Sequence, residues 1–280
     1  MSDRADAHVH LFESGFRTEP SARRLGLSID EAVFYESLME RYSVKAALVV
    51  GFTGDSWCAG NNEFLASLLP SRHWIRAVAY CDIRQGGMSI NDLEQFRKKG
   101  FIGISLYVFE DEDVQVLEQV EDDCWRWISD HRWLVSVNSK GTPWQVWPSI
   151  LDRHNNLRLV VSHLGLPPCV ASPPAEASAT MADVTALAGY PGVHVKLSGF
   201  YALTDPGHDY PHEAAWPYVH VLKNAFGPDR LLWGSDFSPH FDWVSFPQTF
   251  DLFRKMPFLT DKESNMIMGR NLLRLLDDVE

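Results

Sequence analysis

Short apolar stretches alternate with longer amphipathic or polar segments along the whole chain. The apolar stretches are rich in valine, isoleucine and leucine, and this composition in short runs favours strands of a parallel sheet. The predicted strands are residues 4–10, 44–51, 74–82, 101–107, 133–138, 157–163, 193–198 and 230–236. Helical patterns lie between and after them, at residues 30–42, 63–69, 91–99, 113–130, 144–154, 181–188, 213–226, 245–255 and 262–276.

Eight strands that alternate with helices predict an α/β protein with a (β/α)8 architecture, the TIM barrel. The length of 280 residues is close to the roughly 250 that are typical of this fold, so we expect one domain over residues 1–280. A doubly wound open sheet is the alternative, but no GxGxxG turn follows the first strand. The longest loops follow strands, which places them at the C-terminal face where barrel active sites are built. They are residues 52–62, 164–180, 199–211 and 237–244.

The first strand carries two histidines on one face. His8 and His10 alternate with Ala7 and Val9, so both imidazoles point to the same side and can reach one ion or one small substrate. The other strands also carry polar residues on one face, where each buried polar group has an energetic cost. The predicted lining is Tyr80, Ser105, Tyr107, Ser136, Asn138, His163, Lys196, Ser198 and Asp236. We therefore expect a polar pocket in the barrel.

Composition narrows the class of partner. The 37 acidic residues exceed the 25 lysines and arginines, giving a net charge of −12, which argues against a broad surface for nucleic acid or anionic membrane. The sequence contains no run of about 18 apolar residues, so no membrane span is predicted. The four cysteines are far apart and form no CxxC pair, which favours a reducing compartment. We expect a cytoplasmic protein that acts on a small molecule, and the final apolar helix packs on the barrel or on a second copy of the chain.

Four motifs resemble the amidohydrolase superfamily when taken in order. They are HVH at 8–10, VVSHLG at 160–165, HVKLSG at 194–199 and LLWGSDF at 231–237. The sequence is most similar to the amidohydrolase-2 branch, which includes fuconolactonase, pyrone dicarboxylate lactonase and related decarboxylases. The resemblance implies a TIM-barrel hydrolase in which His8, His10 and Asp236 bind a divalent ion, usually zinc. It also implies that His163 orients or deprotonates the attacking water, or polarises the carbonyl.

The chemistry of these residue types agrees with such roles. A divalent ion lowers the pKa of bound water from about 15.7 toward 7 and polarises a carbonyl. An aspartate beside the water can take its proton and deliver it to the leaving oxygen. Each residue also has an ordinary structural interpretation, because Asp236 suits a helix N-cap and His163 suits a core histidine bonded to a backbone carbonyl.

Two departures from the family pattern affect the metal and the substrate. Many zinc-binding relatives carry a histidine at the end of strand five, where this chain has Asn138. Ser105 and Tyr107 stand where binuclear members place a bridging lysine, so we expect either one metal ion or metal-free catalysis. Relatives that act on acidic lactones often have an arginine in a GIRL-like sequence. Here Ser105 replaces it, which makes a dicarboxylate substrate less expected.

The leading hypothesis is a hydrolase that opens a lactone or similar cyclic ester by attack of a water activated by Asp236. Lys196 is the best inward positive charge, able to hold a carboxylate, a hydroxyl or an oxyanion, unless it pairs with Asp6 or Asp236. The candidate substrate-binding residues are Lys196, Tyr107, Asn138, Tyr201 and His240. A decarboxylase or hydratase acting on a carboxylic acid is the second hypothesis, and a non-catalytic ligand-binding barrel is the third.

Overall fold

Eight parallel strands form the centre of the structure, a computed structural model that describes residues 3–13, 15–16, 29–85 and 88–279. Each strand pairs with the next one in sequence, in the order β1 to β8. The strands are β1 Arg4–Val9, β2 Val44–Val50, β3 Ile75–Tyr80, β4 Gly103–Val108, β5 Leu134–Ser139, β6 Arg158–Val161, β7 His194–Leu197 and β8 Leu231–Trp233. The predicted (β/α)8 barrel is confirmed.

The barrel closes between the C-terminal ends of β1 and β8. Val9 and Phe237 form a parallel bridge. The backbone N–H of Asp236 donates to the carbonyl of His8 at 2.9 Å, and the N–H of His10 donates to the carbonyl of Phe237 at 2.5 Å. The backbone bonds that close the barrel therefore bring the first and last polar motifs side by side.

Helices surround the strands. The α-helices are α1 Glu31–Tyr42, α2 Asn61–Leu68, α3 Ile90–Lys98, α4 Asp111–Glu118, α5 Asp122–Asp130, α6 Trp147–Arg153, α7 Ala177–Thr180, α8 Ala182–Thr185, α9 Trp216–Phe226, α10 Gln248–Asp251, α11 Asp261–Asn265 and α12 Asn271–Asp277. A π-helix, Met266–Arg270, joins α11 to α12. The 3-10 segments are Ser56–Cys58, Ile83–Gln85, Thr142–Val146, His163–Gly165, Ala186–Gly189, Phe200–Ala202, Glu213–Ala215, Pro228–Arg230, Pro239–Asp242 and Leu252–Lys255. Within the described ranges, no helix combines the length and the apolar character that a membrane span requires.

One helix prediction was wrong in an informative way. The single helix expected at 113–130 is two helices, since α4 ends before Gln119 and α5 begins after Glu121. Glu121 is the N-cap residue of α5, and Asp122 and Asp123 occupy its first turn. Acidic side chains are favoured at that position by the partial positive charge of a helix N-terminus. The acidic run was therefore the signal of a new helix start.

The barrel interior has an apolar layer and a polar layer. The apolar layer, towards the N-terminal ends of the strands, is one buried cluster that includes Leu48, Val78, Leu134, Val160 and Leu232 with Leu272, Leu275 and Leu276 of α12. The polar layer lies towards the C-terminal ends and includes His8, Ser136, Ser162, Lys196 and Ser198, each at most 1% exposed. Helix α12 thus contributes to the barrel's own apolar cluster.

Candidate active site

His8 of β1 and His10, which directly follows this strand, converge through their Nε2 atoms, which lie 3.0 Å apart. The Nδ1 of His10 lies 2.8 Å from the carbonyl oxygen of Val50, which can only accept, so Nδ1 carries the proton and Nε2 keeps a lone pair. This is the tautomer of a metal-ligating histidine whose other ring nitrogen is held by a backbone carbonyl.

Asp236 faces both imidazoles. Its Oδ1 lies 3.8 Å from the Nε2 of His8 and 3.8 Å from the Nε2 of His10. Its other carboxylate oxygen, Oδ2, accepts a hydrogen bond of 2.5 Å from the hydroxyl of Tyr201. The carboxylate is therefore oriented by a tyrosine with one oxygen left for the histidines.

His163 lies beside His8, with ring centroids 4.3 Å apart. Its Nδ1 is 3.0 Å from the hydroxyl oxygen of Ser198. The ring also depends on Gly199, where an added Cβ would lie 2.6 Å from Nδ1. The backbone of His163 has a φ of 50°, which interrupts the alternation of side chains along the strand. Ser162 and His163 therefore both reach the interior.

Lys196 lies deep in the barrel, below the mouth where a substrate would bind. It is fully buried, and its Nζ donates to the hydroxyl of Ser136 at 2.7 Å and lies 3.3 Å from the Nδ1 of His8. Burial lowers the pKa of Lys196 to about 7, against the opposing effect of Asp236 and Asp6. It forms no ion pair with either aspartate among the residues that the structure describes. Its contacts point to support of the His8 ring from below.

Burial keeps the three imidazoles neutral. It lowers the pKa of His8 well below the usual value, with further lowering from the charge of Lys196. It lowers the pKa of His10 to about 4 although Asp236 acts in the opposite direction, and it also lowers the pKa of His163. Neutral imidazoles have lone pairs available for a metal ion or a proton.

The donor set fits a divalent metal ion. Ligand atoms of His8, His163 and Asp236 all lie within 4.8 Å of one another, and His10 adds a third nitrogen beside His8. Two nitrogens bound to zinc at about 2.1 Å each would be about 3.4 Å apart at the tetrahedral angle, close to the 3.0 Å observed. Imidazole and carboxylate together suit zinc and similar ions.

The opposite side of the mouth is aromatic. Phe52, Tyr80 and Tyr107 pack on one another with ring centroids 4.9 to 5.8 Å apart. Burial raises the pKa of Tyr107, so its hydroxyl stays protonated and can donate. Asn138 is the register partner of Tyr107 on β5, and its buried Oδ1 has no hydrogen-bond partner among the described residues. This side offers a flat surface and a free acceptor.

Two further predicted residues occupy different depths. Tyr201 lies at the site, where its ring stacks on Trp243 with the planes 8° apart. His240 is fully buried behind Asp236, with its Nδ1 3.2 Å from the backbone carbonyl of that residue. The ring is not exposed at the mouth in this structure, and its contact with substrate stays a prediction.

A buried carboxylate, which was not predicted, links β1 to the segment after β8 by hydrogen bonds. Asp6 is fully buried, and its Oδ1 accepts from the backbone N–H of Ser235 at 2.8 Å and of His8 at 3.2 Å. Its Oδ2 accepts from the hydroxyl of Tyr35 at 2.8 Å. The signal was present, since Asp6 shares the face of His8 and an unpaired buried carboxylate is costly.

The fold and this cluster define a (β/α)8 barrel with a His/Asp site at its C-terminal mouth. The chain belongs to the amidohydrolase family, whose model matches residues 5–277. It is also similar to an L-fucono-1,5-lactonase from Burkholderia ambifaria, with 39% identity over 85 residues. That match covers 30% of this chain and 28% of the relative.

Solved structures show the same fold over nearly the whole chain. An amidohydrolase from Burkholderia multivorans with bound zinc has a TM-score of 0.79 at 20% identity, over 99% of both chains. A probable 2-pyrone-4,6-dicarboxylic acid hydrolase from Acinetobacter baumannii with citric acid bound has a TM-score of 0.72 at 17% identity, over 98% of this chain and 99% of that one.

Proposed function

We propose that this protein is a hydrolase that opens a lactone or a similar cyclic ester. The observation that carries the proposal is the convergence of His8 Nε2, His10 Nε2 and Asp236 Oδ1 within 3.0 to 3.8 Å of one another at the barrel mouth. Family membership and the similarity to a lactonase support the reaction class.

Asp236 is the proposed general base and then the general acid. The water oxygen attacks the lactone carbonyl carbon while Asp236 takes the water's proton. The bond from that carbon to the ring oxygen then breaks, and Asp236 returns the proton to the ring oxygen. Tyr201 holds Oδ2, so Oδ1 is the oxygen aimed at the reacting water.

The metal ligands in this proposal are His8, His10 and Asp236, with zinc as the ion of first choice. A bound divalent ion supplies Lewis acidity that favours ionisation of water and polarises a carbonyl. His8 and His10 are neutral, so they would bind the ion without adding charge of their own. Lys196 supports the ring of His8 through Nδ1.

His163 is the proposed group for the carbonyl oxygen. Its Nδ1 lies 3.0 Å from the Ser198 hydroxyl, and with that hydroxyl as donor the other ring nitrogen carries the proton. A donor held in this way stabilises the negative charge that develops on the carbonyl oxygen during attack.

The aromatic side of the mouth is the proposed substrate platform. The free Oδ1 of Asn138 would accept from a substrate hydroxyl, since an unsatisfied buried acceptor costs about 1–3 kcal/mol. Tyr107 and its aromatic neighbours would pack on the ring of the substrate. This combination favours a hydroxylated lactone over a dicarboxylate, in agreement with serine at position 105.

The direct test is turnover of a panel of sugar lactones, simple lactones and acyclic esters by the wild type and by Asp236→Asn. Asn suits this position because Asp236 has a φ of 59°, a left-handed conformation that asparagine tolerates. We expect hydrolysis of at least one lactone class by the wild type and a loss of kcat/KM of about a thousandfold or more in Asp236→Asn.

Asp242→Asn is the matched control, since it changes an exposed aspartate in the same loop. It should retain wild-type turnover. The proposal is wrong if no lactone is hydrolysed, or if Asp236→Asn and Asp242→Asn have equal activity in folded protein.

A further inference from the structure

A second cleft lies at the N-terminal end of the barrel, opposite the candidate active site. Its volume is about 550 Å³. It is bounded by the starts of β6 and β7, the segment before β8, and α12. Its lining residues are Arg158, Ala188, Gly189, Pro191, Gly192, His194, Asp229, Arg230, Arg274, Leu275 and Asp278.

The cleft carries more positive than negative charge, in contrast to the acidic chain as a whole. Arg158, Arg230 and Arg274 line it together with Asp229 and Asp278. The carboxylate of Asp278 is shared, at 3.5 Å from Arg158 and 3.6 Å from Arg132, which is outside the cleft. Arg230 and Arg274 form no ion pair within the described part of the chain.

Backbone carbonyls hold the two unpaired guanidinium groups in place. Arg230 donates from Nε to the carbonyl of Phe226 and from Nη1 to that of Tyr190, each at 2.9 Å. Arg274 donates from Nη2 to the carbonyl of Asp229 at 2.9 Å. Nη2 of Arg230 and both Nε and Nη1 of Arg274 have no partner among the described residues. These N–H groups are therefore fixed and available.

His194 also lines the cleft, beside the three arginines. Its Nδ1 lies 3.3 Å from the carbonyl oxygen of Gly192. Burial, together with the weaker effect of the charges of Arg158, Arg230 and Arg274, lowers its pKa to about 4. The three guanidinium charges thus act together on one ring at the edge of the cleft.

We propose that this cleft binds a small oxyanion with two or more negative charges, a phosphate or a compact polycarboxylate. Rigid guanidinium N–H donors match the oxygen spacing of both groups, and carbonyl bonds do not neutralise the arginine charge. The proposal is independent of the function of the mouth, because the cleft shares no residue with it.

The alternative is that the arginines only cap helix ends, since Phe226 belongs to α9 and Arg158 donates to the carbonyl of Leu275 in α12 at 2.8 Å. Capping accounts for the bonded N–H groups. It does not account for two unpaired cations with free donors facing a cleft. The two interpretations differ in their prediction for added anion, because a cap requires none.

The test is calorimetric titration of the full chain with inorganic phosphate at constant ionic strength, with chloride as the reference salt. We expect one saturable site in the wild type and a Kd raised at least tenfold in Arg274→Gln, which retains a side-chain donor for the carbonyl of Asp229. Arg97→Gln, an exposed arginine of α3 that does not line the cleft, should bind as the wild type does.

A second arm replaces phosphate with citrate and identifies the preferred oxyanion. Proton NMR of the wild type follows the His194 ring, assigned by its loss in His194→Gln, and bound anion should raise the pH at which this ring titrates. Equal binding by the wild type and Arg274→Gln, no saturable binding of either anion, or an equal effect of chloride would each overturn the proposal.

Discussion

The two layers inside one barrel are built from the same eight strands and differ in what they bury. The apolar layer, called the lower layer below, consists of aliphatic side chains from the strands and from α12. The polar layer, called the upper layer below, contains a lysine, histidines and serines whose exposure is 0–8%. Leu134 and Ser136 of β5 lie on the same face two residues apart, one in each layer, so the boundary falls within a single strand.

The difference shows where stability and chemistry are separated. Apolar burial favours folding by about 25 cal/mol per Å². Burial of Lys196 opposes folding, because the charged ammonium loses its hydration, and this is seen in the lowered pKa. A chain that retains the upper layer thus gives up stability for an arrangement of groups that a structural core would not contain.

The largest predicted change in stability is in the lower layer. Leu134→Ala removes a fully buried side chain and should lower the free energy of unfolding by about 2–5 kcal/mol. It should leave kcat/KM of the folded protein nearly unchanged. Chemical denaturation and initial-rate assays below the unfolding transition measure the two effects.

Ser136→Ala is the matched variant in the upper layer. It removes the 2.7 Å hydrogen bond to Lys196 and should cost about 1–3 kcal/mol, with a clear loss of activity. If Leu134→Ala reduces kcat/KM as strongly as Ser136→Ala does, the two layers are not functionally distinct.

The next prediction concerns the pH dependence of stability. The pKa of a lysine is ordinarily 10.5, and burial lowers that of Lys196 to about 7 in the folded chain. Between these two pH values the unfolded chain therefore binds a proton that the folded chain lacks. Stability therefore rises with pH in this window, by up to about 1.4 kcal/mol per pH unit.

Lys196→Met has no such titration. Denaturation of both proteins from pH 7 to pH 9.5 should show the wild type gaining stability relative to Lys196→Met as pH rises. A difference between the two proteins that is independent of pH would mean that Lys196 has an ordinary pKa.

A smaller effect on activity is expected from losing the hydrogen bond that orients the carboxylate of Asp236. Tyr201→Phe removes the 2.5 Å hydrogen bond to Asp236 Oδ2 and keeps the ring that stacks on Trp243. We expect kcat to fall about 10- to 100-fold with little change in KM, since a carboxylate free to rotate spends less time aimed at the water. A change confined to KM would assign Tyr201 to substrate binding alone.

Much of the fold was predictable because strand and helix patterns are local. All eight strands lie at the predicted places, and the order β1 to β8 follows from the alternation with helices. The break at residues 119–121 was missed because it contains no glycine or proline. Where one helix was predicted at residues 181–188, the structure has α8 followed by the 3-10 segment Ala186–Gly189, and α7 precedes them.

The candidate site was predictable in composition and less so in depth. Alternation indicates the face on which Lys196 lies, but not how far along the barrel axis it is placed. The same limit applies to His240, which local sequence could place in a loop but not behind Asp236. The link made by Asp6 depends on closure between β1 and β8, a contact between the two ends of the chain.

The central claim is that His10, directly after β1, and Asp236, beyond β8, act as one unit on the substrate. The measurement is the coupling free energy in kcat/KM from the cycle of wild type, His10→Gln, Asp236→Asn and the double variant on the best lactone substrate. We predict that the double variant is no more impaired than the worse single variant, as for groups that share one step. Losses that multiply in the double variant would contradict the claim.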